Sequence, residues 1–89
     1  MPTRAERIET ALQQALQPSR IAVTDESALH AGHSGARAGG ETHYQVAVVS
    51  AAFEGMSRVA RSRMVHELLS AEFATGLHAL SLQLRTPDA

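Results

Sequence analysis

The sequence predicts a small α+β domain in which helices pack on one three-stranded mixed sheet. Three observations lead to this fold class: two segments have the apolar period of a helix, three have strand patterns, and a helical segment separates the last two strands. At 89 residues, the chain is long enough for one domain with one modest core. We therefore treat residues 1–89 as a single domain.

Residues 3–16 are predicted to form the first helix. Thr3 and Glu6 have the spacing of a capping box at its start, and Pro18 ends it. Its apolar residues recur at i, i+3, i+4, i+7 and i+8 and so share one face: Ile8, Ala11, Leu12, Ala15 and Leu16.

Three segments are predicted to be strands. Residues 20–25 alternate apolar and polar side chains, as a short half-buried strand does. Residues 43–50 carry apolar residues on both faces, so we expect a central strand covered on more than one side. Residues 78–85 place three leucines on one face, and Thr86-Pro87 closes the strand.

The region of about residues 56–75 is predicted to be helical and to end at Gly76. In one unbroken helix Arg61 would fall on the apolar stripe, so we expect a short turn at 57–61, a bend, and then a long helix. A crossover of this length implies that the second and third strands are parallel. The first two strands can pair as antiparallel neighbours. The predicted stripe consists of Met64, Val65, Leu68, Leu69 and Phe73.

Composition excludes several classes of function. The chain has no cysteine, so it forms no disulfide and cannot hold an iron–sulfur cluster by itself through sulfur. A net charge of −1 argues against a surface made wholly for nucleic acid or an anionic membrane. No phosphate loop or nucleophile with a supporting acid and base is present, which argues against an enzyme. Without a long apolar stretch, we expect a cytoplasmic protein with no membrane partner.

Histidines are the candidate metal ligands. The connection at about residues 26–42 contains four glycines together with His30 and His33. If strands two and three are parallel, His78 begins the third strand at the end of the sheet where this connection enters the second. Neutral imidazole is a good ligand for iron, zinc or copper. The pattern leaves two interpretations open: a metal site, or solvated loop histidines with His78 hydrogen-bonded at a strand end.

Two other features are weaker candidates. For His43, which borders a strand, and His66, on the polar side of the long helix, we expect structural or surface roles. Arg58, Arg61 and Arg63 form either a basic patch for phosphate or carboxylate, or a solvated helix face.

In order and spacing, several short stretches of the chain resemble BolA proteins. They are Asp25-Glu26-Ser27 leading to His30, Glu41-Thr42-His43-Tyr44, Val48-Val49-Ser50 with Phe53-Glu54-Gly55, Ser57 with Arg61-Ser62-Arg63, and Gly76-Leu77-His78-Ala79-Leu80 to Thr86-Pro87. The resemblance implies an αββααβ fold related to the type II K-homology arrangement. The chain differs from the family at Ser62, where members often carry a histidine between the two arginines.

The resemblance also implies partners and a cofactor. Members pair with a monothiol glutaredoxin and glutathione around a shared [2Fe–2S] cluster, to which the partner side contributes thiolates. The BolA side contributes a histidine at the start of the last strand, matched by His78, and a loop ligand, matched by His30 with His33 as the alternative. The implied function is a non-enzymatic adaptor in iron–sulfur cluster trafficking or iron regulation.

Two alternatives stay open at the level of sequence. Some BolA proteins are described as transcription factors, and the segment from Phe53 to Arg63 is the nearest basic candidate for DNA binding. The other alternative is that the chain is a protein-interaction module that needs no metal. We expect the isolated chain to be a monomer or a weak homodimer.

Overall fold

The structure, a computed structural model, describes residues 2–26 and 43–87. In this part of the chain, helices and strands follow one another in the predicted order αββααβ. The elements are α1 (Arg4–Leu16), β1 (Arg20–Asp25), β2 (His43–Val49), a 3-10 turn (Ala51–Phe53), α2 (Arg58–Leu68), α3 (Ser70–Ala74) and β3 (Ala79–Arg85).

Helix α1 starts with the predicted capping box. The Thr3 hydroxyl accepts a hydrogen bond from the Glu6 amide at 3.2 Å, and the Glu6 carboxylate accepts one from the Thr3 amide at 3.4 Å. Gln17, in the left-handed conformation with φ 45°, ends the helix before Pro18. The buried face of α1 then packs against the sheet through Ile8, Leu12 and Leu16.

The sheet has the predicted topology, with β2 in the centre. Strand β1 runs antiparallel to β2, from Arg20 opposite Val49 to Asp25 opposite Tyr44. Strand β3 runs parallel to β2 and begins at Ala79, opposite His43. His78 therefore precedes the third strand by one residue, and the beginnings of β2 and β3 lie at the same end of the sheet.

One face of the sheet carries the core, and the expectation that β2 is covered on both faces is wrong. Tyr44, Val46 and Val48 are buried, whereas the alternate residues Ala47 and Val49 are only half-buried. Their neighbours on β1 and β3 are small or polar and exposed, so this second face offers too little apolar surface for a helix to bury. The exposed neighbours include Ala22, Thr24, Ser81 and Gln83.

The predicted bend at residues 57–61 is also wrong. Helix α2 runs unbroken from Arg58 to Leu68, and the break falls at Leu69, before α3. No bend is needed at Arg61, because its guanidinium, although half-buried, donates to two backbone carbonyls. Among the described residues, no helix is long and apolar enough to cross a membrane.

Candidate functional site

Two histidines meet at the end of the sheet where β2 and β3 begin. The ring centroids of His43 and His78 lie 5.2 Å apart, with their planes tilted by 54°. His43 is buried, with 8% of its surface exposed, whereas His78 is exposed. The pair therefore presents the imidazole of His78 to solvent, whereas that of His43 lies buried beside it.

His78 is held by the turn that leads into β3. Gly76 has φ 126°, a backbone conformation that residues with a Cβ rarely adopt, and it turns the chain out of α3. Leu77 follows, buried in the core, and its amide donates to the carbonyl oxygen of Glu72 at 2.9 Å. With Leu77 buried before it and Ala79 paired in the sheet after it, His78 has a fixed backbone position.

His43 is held by its place in the central strand. Its carbonyl oxygen accepts a hydrogen bond from the Glu26 amide at 2.8 Å, just beyond the end of β1. The next residue, Tyr44, is among the largest fully buried side chains. Sequence reasoning gave His43 only a structural or surface role. The parallel register, which pairs His43 with Ala79, places it beside His78.

An ion-pair cluster supports the turn before His78. The carboxylate of Glu72 pairs with Arg4 at 2.8 Å and with Arg7 at 3.0 Å, joining α1 to α3. The hydrogen bond from Arg7, with the charges of Arg7 and Arg4, lowers the pKa of Glu72 below its ordinary value, although burial acts in the opposite direction. Since the carbonyl oxygen of Glu72 also receives the Leu77 amide, this cluster lies directly behind the turn.

The other predicted ligands, His30 and His33, lie outside the described residues. Within residues 2–26 and 43–87, no three His, Cys, Asp or Glu side chains form a group that could hold a metal ion. His66 lies elsewhere, stacked on Phe73 with ring centroids 5.4 Å apart and with Nδ1 2.8 Å from the Ser62 carbonyl oxygen.

The described residues place two imidazoles at this end of the sheet, fewer ligands than a closed metal site needs. A [2Fe–2S] cluster takes four protein ligands, either all thiolate or thiolate with imidazole. The chain offers imidazoles here, and it has no cysteine. The described residues would therefore hold such a cluster only together with thiolates from another molecule.

The three arginines of the predicted basic patch differ in exposure, and Arg58 lines one groove with Arg61 and another with Arg63. Arg61 is half-buried, and its guanidinium donates to the carbonyl oxygens of Met56 and Leu84, each at 3.0 Å. Arg58 and Arg63 are exposed. A groove of about 530 Å³ between α2 and β3 is lined by Arg58, Arg61, Ser62, Leu82, Gln83, Leu84 and Arg85, without Arg63.

Comparison with known proteins gives consistent matches. The family described as "BolA-like protein" matches residues 12–89. Over 87 residues the chain is 48% identical to "Protein BOLA1, chloroplastic" of Arabidopsis thaliana, covering 96% of this chain and 54% of that protein. Over 80 residues it is 50% identical to "BolA-like protein 1" of Mus musculus, covering 90% of this chain and 56% of the relative.

A solved structure supports the same grouping. The BolA domain of SufE1 from Arabidopsis thaliana superposes with a TM-score of 0.89 at 42% sequence identity, covering 99% of this chain and 96% of that one. The chain spans only about half the length of the two curated relatives, 54% and 56%.

Proposed function

Since this chain belongs to the BolA-like protein family, we propose that it is a non-enzymatic adaptor that pairs with a monothiol glutaredoxin and glutathione to co-ligate a [2Fe–2S] cluster. The observation that carries the proposal is the exposed imidazole of His78, held at the rim of the sheet beside a second histidine. A chain without cysteine can serve such a cluster only together with a thiolate donor.

In the proposed complex this chain supplies imidazole ligands and a docking surface. His78 is the first ligand, and the family resemblance implies His30 or His33 as the second. The buried residue Leu77 and the ion pairs of Glu72 keep the backbone of His78 in place, so little ordering is needed when the partner arrives. Histidine ligation on one iron would raise the reduction potential of the shared cluster above that of an all-thiolate one.

Reconstitution tests the proposal. The protein is mixed with a monothiol glutaredoxin, glutathione, iron and sulfide, and the complex is followed by size-exclusion chromatography, visible absorption and circular dichroism. We expect a coloured heterodimer whose spectrum changes or disappears with His78→Ala. His66→Ala is the matched control, because that imidazole is on α2 and stacks on Phe73.

Two outcomes contradict the proposal in different ways. If the spectrum survives when His30, His33 and His78 are all replaced by alanine, the ligand assignment is wrong. If the two proteins associate equally well without iron and sulfide and no colour develops, the chain is a protein-interaction module without a metal role. A cytoplasmic location is part of the proposal and is tested by cell fractionation, since one relative is named as a chloroplastic protein.

A second candidate function, nucleic-acid binding in transcriptional regulation, rests on the groove between α2 and β3. The exposed side chains of Arg58 and Arg85 line this groove, and guanidinium groups suit phosphate. The net charge of −1 argues against a strong contribution from the rest of the surface. We therefore rank this function below the cluster adaptor.

A further inference from the structure

We infer that the outer edge of β1 pairs with the same edge of a second copy of this chain, so that two sheets join into one continuous sheet. The strand order β1-β2-β3 makes β1 and β3 the two edges of the described sheet. An edge strand carries a row of backbone N–H and C=O groups that its single neighbour does not bond. The inference goes beyond the proposed function and does not rest on it.

Alternate residues of β1 turn their backbone groups away from β2. The Glu26 amide donates to the carbonyl oxygen of His43, which continues the register of the two strands. In an antiparallel ladder, a residue bonded to its partner is followed by one whose backbone groups point the other way. Ile21 and Val23 lie an odd number of positions from Glu26, so their backbone groups point to the outer edge. In the part of the chain that the structure describes, no hydrogen bond reaches these groups.

The two edges of the sheet differ in their protection. On β3, the carbonyl oxygen of Leu84 accepts a hydrogen bond from Arg61 of α2, which occupies that edge. On β1, the charged residues Arg20 and Asp25 stand at the ends, and the four residues between them include no charge and no proline. Charges, prolines and covering segments are the usual means of keeping another strand from an edge. The middle of β1 is therefore the edge that can accept a strand.

The edge of β1 is complementary to itself in charge. Val23 is the middle residue of positions 20–26, so antiparallel pairing about a two-fold axis at Val23 places Arg20 opposite Glu26 of the second copy. Both side chains lie on the face opposite the core, and neither forms an ion pair with another described residue. Symmetry gives the dimer this favourable cross-strand pair twice. A register shifted by two residues would place Arg20 opposite Thr24 and lose both pairs.

Half-exposed apolar side chains line the same edge on the core side. Ile21 and Val23 are only half-buried, whereas Val48 and Val46, their partners on β2, are fully buried. In the proposed register Val23 lies opposite Val23 of the second copy, so apolar surface at the edge is removed from water. The contact is only one strand wide and therefore smaller than a standard interface. We expect a weak dimer whose population depends on concentration.

Pairing at β1 leaves the histidine end of each sheet accessible. Asp25, opposite Tyr44, lies at the end of the sheet where β3 also begins. Because the two β1 strands run antiparallel, His78 of one copy and His78 of the other lie at opposite ends of the joined sheet. The dimer can therefore carry a partner at each end, and its test is independent of the test of the adaptor function.

Sedimentation equilibrium of the full chain from about 10 µM to about 1 mM measures the dimer, and hydrogen exchange of backbone amides locates it. We expect the dimer fraction to rise with concentration and the exchange of the Ile21 and Val23 amides to slow with it. The amides of Ala22 and Thr24 face β2 and serve as the internal control. Their exchange should not depend on concentration.

Charge reversal tests the register. Arg20→Glu and Glu26→Arg should each raise the dissociation constant at least about fivefold, because like charges then face each other twice, and the double variant Arg20→Glu/Glu26→Arg should restore it. Arg85→Glu on β3 and Glu67→Arg on α2 make the same charge changes at exposed positions elsewhere and should have little effect. Val23→Pro removes an outward amide and should abolish the dimer, with urea denaturation to confirm that this variant folds.

Three results would overturn the inference: a chain that stays monomeric at about 1 mM, a dimer that the charge reversals of Arg20 and Glu26 leave unchanged, and Ile21 and Val23 amides equally protected at every concentration. In the last case, the edge is covered within a single chain. If the charge reversals act as expected but no cluster forms with glutaredoxin, the adaptor function fails and the dimer stands. If the cluster forms and the chain stays monomeric, only the dimer is wrong.

Discussion

The guanidinium of Arg61 donates a hydrogen bond to the carbonyl oxygen of Leu84, 3.0 Å away, and so ties α2 to β3. A second bond from the same side chain reaches the carbonyl oxygen of Met56 at 3.0 Å, before α2 begins. The guanidinium carbon also lies 5.8 Å from the ring centroid of the buried Phe53. Arg61 therefore joins three parts of the fold.

Arg61→Ala is expected to lower the free energy of unfolding by about 1.5–3 kcal/mol, the range for hydrogen bonds to charged groups. Urea denaturation near neutral pH measures the change. Arg61→Lys should restore only part of the stability, because a point charge cannot direct donors at both carbonyls. Arg63→Ala, on the exposed side of the same helix, should stay within about 0.5 kcal/mol of wild type. Equal losses in both alanine variants would contradict the structural role of Arg61.

Most of the fold could be predicted from local patterns. From the capping box of Thr3 and Glu6, the start of α1 was predicted within one residue of where the helix begins. The crossover rule predicted the parallel pairing of β2 with β3. What failed depended on partners distant in sequence. The helical period of α2 placed Arg61 on the apolar stripe. No sequence pattern shows that the carbonyl oxygen of Leu84 will accept a hydrogen bond from its guanidinium. Whether the second face of β2 is covered likewise depends on β1 and β3.

The position of His78 was predictable from the sequence, whereas its neighbours in space were not. The parallel topology placed His78 at the end of the sheet where β2 begins, as observed. His43 was given a structural or surface role because it borders a strand, and the register places its ring centroid 5.2 Å from that of His78. The roles of His30 and His33 stay predictions, because those residues lie outside the described part of the chain.

Ser50 is the second residue for which we expect a large effect from a small change. It is fully buried; its hydroxyl donates to the carbonyl oxygen of Leu16 at 2.6 Å and accepts from the Ala52 amide at 3.1 Å. Ser50→Ala leaves both backbone groups without this partner and should lower the free energy of unfolding by about 1–3 kcal/mol. Thermal and urea unfolding measure the loss. Ser81→Ala, an exposed serine on β3, is the control and should have little effect, so a matching loss there would contradict this role of Ser50.

Glu72 should make stability depend on pH in the acid range. Because its pKa is lower in the folded chain than the ordinary 4.5, its ion pairs stabilise the fold fully above that value. The contribution is lost as the pH falls below 4.5 and through the lowered folded-state pKa. Glu72→Gln should therefore destabilise the chain near neutral pH and reduce the dependence on pH.

Urea denaturation at several values between about pH 7 and about pH 3 measures this effect of Glu72. We expect the variant to lose about 1–3 kcal/mol near neutral pH, because Arg4 is left buried without the carboxylate, and to approach wild type at the acid end. Glu67→Gln, on the exposed side of α2, should follow the wild-type curve. Parallel curves for wild type and Glu72→Gln would contradict the lowered pKa.

If the chain binds nucleic acid as the second candidate function requires, we expect the phosphates to contact the arginines of the groove between α2 and β3. Arg58 and Arg85 are its exposed cations, whereas the guanidinium of Arg61 is engaged with backbone carbonyls and Arg63 is not part of the lining. Replacing Arg58 or Arg85 with alanine should weaken binding equally across sequences. It should also reduce the slope of log affinity against log salt by about 0.9 for each phosphate that the variant no longer neutralises.

Fluorescence anisotropy with a labelled duplex at several salt concentrations measures that slope for wild type, Arg58→Ala, Arg85→Ala and the control Arg63→Ala. The control should keep the wild-type slope, because its side chain lies outside the groove. If Arg63→Ala reduces the slope as much as Arg58→Ala, binding is a diffuse effect of surface charge. If wild-type binding is independent of salt, phosphate groups contribute nothing to it and nucleic acid is removed as a partner of this groove.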